Sequence, residues 1–183
     1  MIWFISDTHF NHDREFIYKP RGFHDINESN NTIIDNWNKN VAKEDEIYVL
    51  GDFFLGTDID FIKNTISNLN GNIHLIIGNH DTPAKINLYT TLSNIVDIKW
   101  ADQIEYNGRK FYLSHYPTLT ADLNSNPDKC IFNLFGHTHS QELFYEDRLY
   151  MYNVAVDAHN NSPVSIEEVI RDIEYEMDKC FWI

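Results

Sequence analysis

The sequence predicts an α/β fold, and two observations carry the prediction. Five short apolar runs each end in Gly or Ser and meet Asp, Asn or His at once. Helical patterns separate the first three of these runs. The runs are Ile2 to Ser6 before Asp7, Ile47 to Gly51 before Asp52, Ile73 to Gly78 before Asn79, Phe111 to Ser114 before His115, and Ile131 to Gly136 before His137. Short runs rich in β-branched and aromatic residues read as buried strands. A glycine at a strand end lets the chain turn sharply or approach a ligand closely.

The first helix is expected over Asn27 to Asn40, where Ile33, Ile34 and Trp37 share a face. A second runs from Asp58 to Leu69, with Ile59, Ile62, Ile66 and Leu69 at helical spacing and Asp58 as N-cap. Strand, helix, strand, helix, strand implies parallel pairing with right-handed crossovers. The second half changes character. Asn107-Gly108 reads as a hairpin turn. Glu146-Asp147 joins another β pair, Leu143 to Tyr145 and Leu149 to Val154. Ser165 to Lys179 places Ile166, Val169, Ile170, Ile173 and Met177 on one face of a closing helix. Ligands of open α/β sheets bind beyond the carboxyl ends of the strands. All five polar motifs fall there, which joins them into one expected site.

Composition narrows the class. A chain of 183 residues suits one domain, residues 1–183, with a sizeable core. Apolar residues make up 43% and charged residues 23%, as in an ordinary globular protein. No apolar run approaches the roughly 18 residues that span a membrane. The opening MIWFISDTHF lacks a basic leader and a cleavage site, so a cytoplasmic location is expected. Cys130 and Cys180 are too few for a disulfide framework and lack zinc spacing, so two reduced, partly buried thiols are expected. A net charge of −14 speaks against a nucleic-acid coat protein, which needs a basic stripe. It leaves a phosphate-ester substrate open, because two divalent ions add +4 where two aspartates supply −2.

Asp7 and His9 are spaced i, i+2, and His137 and His139 repeat that spacing. In extended backbone such pairs point to one side. Carboxylate and imidazole suit Mn, Fe, Zn or Ni, whereas Mg and Ca favour oxygen alone. Asp7, His9, Asp52, Asn79, His115, His137 and His139 are too many ligands for one ion and suit two ions sharing a bridging carboxylate.

In this order the motifs resemble those of the calcineurin-like metallophosphoesterases. They stand here as Asp7-Thr-His9, Gly51-Asp52, Gly78-Asn79-His80-Asp81, His115 and Gly136-His137-Thr138-His139. The resemblance covers residues 7 to 139 and lacks no ligand position. It implies that Asp7, His9, Asp52 and His139 hold one ion, that Asp52, Asn79, His115 and His137 hold the other, and that Asp52 bridges. It implies a β-sandwich core flanked by helices, which refines the α/β reading. It implies that His80 is no ligand and stands over the substrate. The expected chemistry is hydrolysis of a phosphate ester by a hydroxide that two ions activate, with Mn the expected metal. His80 is expected to assist the phosphate or the leaving oxygen, with Asp81 orienting it.

Other residues are weaker candidates. His12 and Arg14 are read as substrate contacts at the rim, and the opening Asp7-Thr-His-Phe-x-His12 resembles that of small stand-alone family members. Lys19 and Arg21 flank Pro20 and could add positive charge at the same rim, with a solvated loop the favoured reading. His74 is read as a satisfied sheet residue, and His24 and His159 lack motif context. Asp157 is a secondary candidate for the surroundings of the site. The expected substrate is a small, nucleotide-like phosphodiester. A nuclease would need a basic cleft, and the chain has only 14 Lys and Arg in all. A metal-bearing scaffold without activity is the competing class. Every ligand type and His80 are present, which argues against it.

Overall fold

The computed structural model describes residues 1–120 and 130–180. Among the described residues ten strands form two five-stranded sheets. The first sheet takes β1 (Ile2–Ile5), β2 (Glu46–Val49), β3 (Asn72–Ile76), β4 (Ile95–Lys99) and β10 (Val164–Ser165) in the order β10-β1-β2-β3-β4. β1 to β4 are parallel neighbours, and β10 runs antiparallel on the outer side of β1. The second sheet takes β5 (Ala101–Tyr106), β6 (Arg109–Ser114), β7 (Ile131–Phe135), β8 (Phe144–Tyr145) and β9 (Arg148–Asn153) in the order β5-β6-β7-β9-β8.

Both expected hairpins form, and their turns sit in left-handed backbone. Asn107 and Gly108 have φ of 50° and 77°, and Glu146 and Asp147 have 48° and 56°. That handedness matches the twist of the flanking strands. The second sheet is nonetheless mixed, because β6–β7 and β7–β9 pair in parallel. β4 and the short helices α1 (Glu15–Tyr18) and α4 (Pro83–Tyr89) were not foreseen, each being too short to show a clear period.

The two faces of the first sheet explain the packing. Ile5, Ile47, Val49, Ile73 and Leu75 face α2 (Ile26–Asn40), α3 (Ile59–Asn68) and α4, while Phe4, Leu50 and Ile76 face the second sheet. Continuous apolar runs are what a sheet covered on both sides demands. Asp25 and Asp58 cap α2 and α3 by accepting from the Glu28 and Phe61 N–H. The closing helix α5 (Ile166–Cys180) buries Ile166, Val169 and Ile173 in the layer between the sheets. Cys130 is buried, and the Cys180 side chain lies outside the described residues. Among the described residues no helix is long and apolar enough to cross a membrane.

Trp37 ties the helical layer down. Its ring is fully buried, stacks on Phe53 at 6.0 Å between centroids, and donates from Nε1 to the Asn70 carbonyl at 2.8 Å. Trp37→Ala is therefore expected to lower unfolding stability by about 3–5 kcal/mol. Urea denaturation measures that loss, and a change below 1 kcal/mol would show that α2 is held mainly by other contacts.

Candidate metal centre

Five loops leave the carboxyl ends of β1, β2, β3, β6 and β7 and converge. The backbone of the first two continues to pair past the strands: Asp7 N–H donates to the Gly51 carbonyl and His9 N–H to the Asp52 carbonyl, both at 3.1 Å. The residues form two clusters, Asp7, His9 and His139 in one and Asp52, His115 and His137 in the other. Within each, one potential ligand atom per residue lies within 4.8 Å of the others.

Asp52 lies between them. Its Oδ2 is 3.6 Å from His9 Nε2 and 3.5 Å from His115 Nε2. Its Oδ1 accepts the His80 N–H at 2.8 Å, which fixes the carboxylate plane. Asn79 joins the second cluster, with Oδ1 at 2.9 Å from His115 Nε2. The other His115 nitrogen, Nδ1, donates to the Leu50 carbonyl at 2.8 Å. That bond holds the tautomer that leaves Nε2 available as a ligand. The His137 N–H donates to Asp7 Oδ2 at 2.8 Å, so the last loop braces the first ligand.

The i, i+2 pairs reach one pocket by a route the sequence reading missed. Neither pair is extended. Asp7 and His9 have φ of 55° and 48°, and His137 and His139 have 71° and 51°. Asp52 is left-handed as well, at 53°. Such backbone costs about 1–3 kcal/mol per non-glycine residue and persists only where surrounding contacts over-determine it. Here the chain must turn as soon as it leaves the sheet. The glycines before these ligands allow the loops to close up. A Cβ on Gly51 would stand 2.5 Å from His115 Nδ1, and one on Gly136 would collide with Asp7 Oδ2.

The donor set fits cations. Asp7 Oδ1 and His9 Nε2 are buried without a hydrogen-bond partner among the described residues, 3.8 Å apart. Burial raises the Asp7 pKa, and it drives His9 down to about 2, with the nearby His139 adding to the fall. A neutral imidazole beside a carboxylate starved of positive charge is the chemistry of a metal site.

Around these groups the structure places three further residues: Arg21, read mainly as a solvated loop residue; Asp157, the secondary candidate; and Lys85, which sequence reasoning missed. Arg21 was expected in solvent, yet its side chain is 1% exposed. It donates Nε and Nη2 to Asp157 Oδ1 and Oδ2 at 3.0 and 2.9 Å, and Nη2 to the Asp7 carbonyl at 2.8 Å. Asp157 in turn lies 3.2 Å from His139 Nδ1. Burial opposes ionisation of Asp157, but His139 and Arg21 outweigh it and its pKa falls to about 2. Lys85 is the third: its Nζ donates to the carbonyls of Phe54 and His80 at 2.5 and 3.0 Å, tying the β2 and β3 loops together. No local pattern around Lys85 or Arg21 marks them, because Lys85 reaches Phe54 across 31 positions and Arg21 reaches Asp157 across 136.

His80 is 45% exposed beside the site, with Nε2 4.0 Å from Asp52 Oδ2. Asp81 does not hydrogen-bond the His80 ring as expected. Its carboxylate accepts the Asp52 and Gly78 N–H groups, both at 2.9 Å, and the more distant Phe53 N–H at 3.4 Å. Being buried, it positions two ligand loops and has no access to a substrate. His12 Nδ1 is 3.3 Å from His9 Nδ1, and its ring faces the site. Arg14 is exposed at the start of α1, and its hydrogen bond is a long one, 3.5 Å, to the adjacent Asp13 carbonyl. Lys19 is exposed and pairs with Glu15 at 2.7 Å. His74 bridges Glu46 and Asp97 at 2.7 and 3.1 Å on the sheet, His159 lies 2.7 Å by Nε2 from the Asn153 carbonyl, and His24 is exposed.

The contrast between the two basic residues is measurable. Arg21→Ala removes two hydrogen bonds from the buried Asp157 carboxylate, leaving His139 as its remaining partner, and is expected to cost about 3–5 kcal/mol. Lys19→Ala removes an exposed pair and is expected to cost at most about 1 kcal/mol. Equal losses in thermal or urea unfolding would refute the bracing role of Arg21.

Comparison with known proteins agrees with this arrangement. The calcineurin-like phosphoesterase superfamily domain matches residues 1–158. The uncharacterized protein MJ1445 of Methanocaldococcus jannaschii is 34% identical over 181 residues, 94% of this chain and 91% of that protein. The gene 66 protein of Mycobacterium phage D29 is 27% identical over 206 residues, 94% of this chain and 97% of its own length. Among solved structures, AQ665 of Aquifex aeolicus, a protein of unknown function, is similar with a TM-score of 0.71 at 26% identity, covering 93% of this chain and 98% of its own. With its motifs, its paired sheets and these matches, the chain belongs to the calcineurin-like phosphoesterase superfamily.

Proposed function

We propose that the protein is a dinuclear metal-dependent phosphodiesterase acting on small, nucleotide-like diesters. One observation carries the reading: Asp52 Oδ2 stands 3.6 Å from the imidazole of one cluster and 3.5 Å from that of the other. A carboxylate shared in this way joins two ion sites into one centre. Asp7, His9, Asp52 and His139 would hold one ion, and Asp52, Asn79, His115 and His137 the other. The oxygen and nitrogen donors, without sulfur, suit Mn, with Fe, Zn or Ni as alternatives. When bound, such a pair supplies Lewis acidity to the phosphoryl group and acidifies a water molecule.

The chain's own residues do the rest. His80 is the exposed polar group over the shared carboxylate, and its N–H to Asp52 Oδ1 ties its position to the centre. From there its imidazole donates a hydrogen bond to a phosphoryl oxygen or gives a proton to the leaving oxygen. Asp81 and Lys85 fix the loop that carries it. Asp157 holds the His139 ring in orientation, a role that commonly accounts for 10–100-fold in metal affinity. Among the described residues no lysine or arginine lines the cavity beside the centre, which favours a small ester over a nucleic-acid strand.

Two measurements test the proposal. The protein should hydrolyse bis-para-nitrophenyl phosphate when Mn is supplied, and His80→Ala should lower turnover by ~10²–10⁴ while metal content is unchanged. Full activity in that variant, loss of its metal, or no turnover by the parent protein with any divalent ion would overturn the assignment. Mn at a hundredfold excess over its Kd should also raise unfolding stability by about 2.7 kcal/mol per ion, a gain that a chelator removes. A melting temperature insensitive to both Mn and chelator would show that the clusters hold no ion.

A further inference from the structure

Next to the centre the surface folds into a cavity of about 500 Å³. At one end His9, His80 and His139 connect it to the reacting groups. At the other the wall is apolar, made by Phe16, Ile17, Pro20 and Leu55. The two ends meet at His12, whose ring contacts both: its centroid lies 5.2 Å from that of His9 and 5.7 Å from that of Phe16, edge to face with the latter.

Phe16 is the unusual member. It is 69% exposed, although its neighbours in α1, Ile17 and Tyr18, are buried. A single exposed apolar side chain on a convex surface means little. This one lies on the wall of a concavity that opens onto a candidate active centre. A volume in the range of small-ligand sites, mostly apolar walls and a few convergent polar groups are the marks of a ligand pocket. The charge pattern narrows the occupant. Asp157 is the acidic residue in the wall, and Arg21 already neutralises it with two hydrogen bonds. Among the described residues the wall holds no lysine or arginine, so away from the histidine end the cavity gives a second phosphate or a carboxylate no charged partner.

We propose that this cavity is the subsite for the organic arm of the ester, and that it takes a flat, uncharged ring which packs against Phe16 while the phosphate sits at the histidine end. The proposal rests on the phosphodiesterase reading above, and it adds the chemistry of the arm. Leu55 and Ile17 supply the remaining apolar contact, and Lys85, through its bond to the Leu55 carbonyl at 3.2 Å, holds that wall to the His80 loop.

The test is a binding comparison on the Mn-loaded protein, by calorimetry, with diphenyl phosphate, dimethyl phosphate and the methyl ester of adenosine 5′-monophosphate. Aromatic stacking is commonly worth ~1–3 kcal/mol, so Phe16→Ala should weaken a ring-bearing diester about tenfold and leave dimethyl phosphate unchanged. Phe16→Tyr, which keeps the ring, should retain the preference. Trp100→Ala, which removes an exposed aromatic outside the cavity, should change nothing. Loss confined to diphenyl phosphate assigns the ring to an aryl arm, and loss shared by the adenosine ester assigns it to a nucleobase; both support the subsite. Equal weakening of all three diesters by Phe16→Ala, or no weakening, overturns it. Ring preference in a protein that hydrolyses no ester would sink the enzymatic reading and keep the subsite. Hydrolysis with unimpaired ring binding by Phe16→Ala would do the reverse.

Discussion

Two carboxylates and two imidazoles are buried within one small volume. Asp7, His9, Asp52 and His115 are all 2% exposed or less. Burying one unpaired carboxylate costs several kcal/mol, and burying two side by side costs more. Asp7 Oδ1 has no hydrogen-bond partner among the described residues, and the imidazoles of His9 and His139, 3.8 and 3.9 Å away, offset that cost only in part. The free energy withheld there becomes available to a cation that enters. Much of the surrounding structure makes sense as a frame that keeps these groups together in spite of their repulsion.

The frame is mostly backbone. Parallel strands β1, β2 and β3 end side by side, and their loops stay bonded to one another beyond the sheet. Asp81 reaches back to the Asp52 and Gly78 amides, and Lys85 ties the β2 and β3 loops from the far side. Left-handed φ at Asp7, His9, Asp52, His137 and His139 would not persist in a free loop. It persists because each loop is clamped at both ends. The packed layers beneath, with Trp37 and Phe53 on one face of the sheet and Phe4 and Leu50 on the other, supply the rigidity that the clamps work against.

The electrostatics change sharply over a few ångströms. The chain carries −14 overall, yet the Arg21–Asp157 pair closes off one acidic group, and the wall beyond it is neutral and apolar. Charged groups therefore cluster at the strand ends, and on the reading proposed above the adjacent space selects by shape and hydrophobicity. His12 touches both regions, lying 3.3 Å by Nδ1 from His9 Nδ1 and edge to face with Phe16.

The sequence by itself determined which groups stand at the strand ends and in what order. Strand runs, helix faces, caps and hairpin turns are local properties, and they placed α2, α3, α5 and both hairpins to within a residue or so. The residues of the two candidate clusters were legible because each motif follows directly from a strand. Only the tertiary structure decided how those groups meet. It made Asp52 Oδ2 the common neighbour of both imidazoles, turned Asp81 toward backbone amides, buried Arg21 against Asp157 across 136 positions of sequence, and left Phe16 facing a cavity. No spacing rule could reveal these contacts. They depend on how strand ends, loops and sheet edges are brought together in packing, and side-chain partners that far apart leave no periodic trace in the chain.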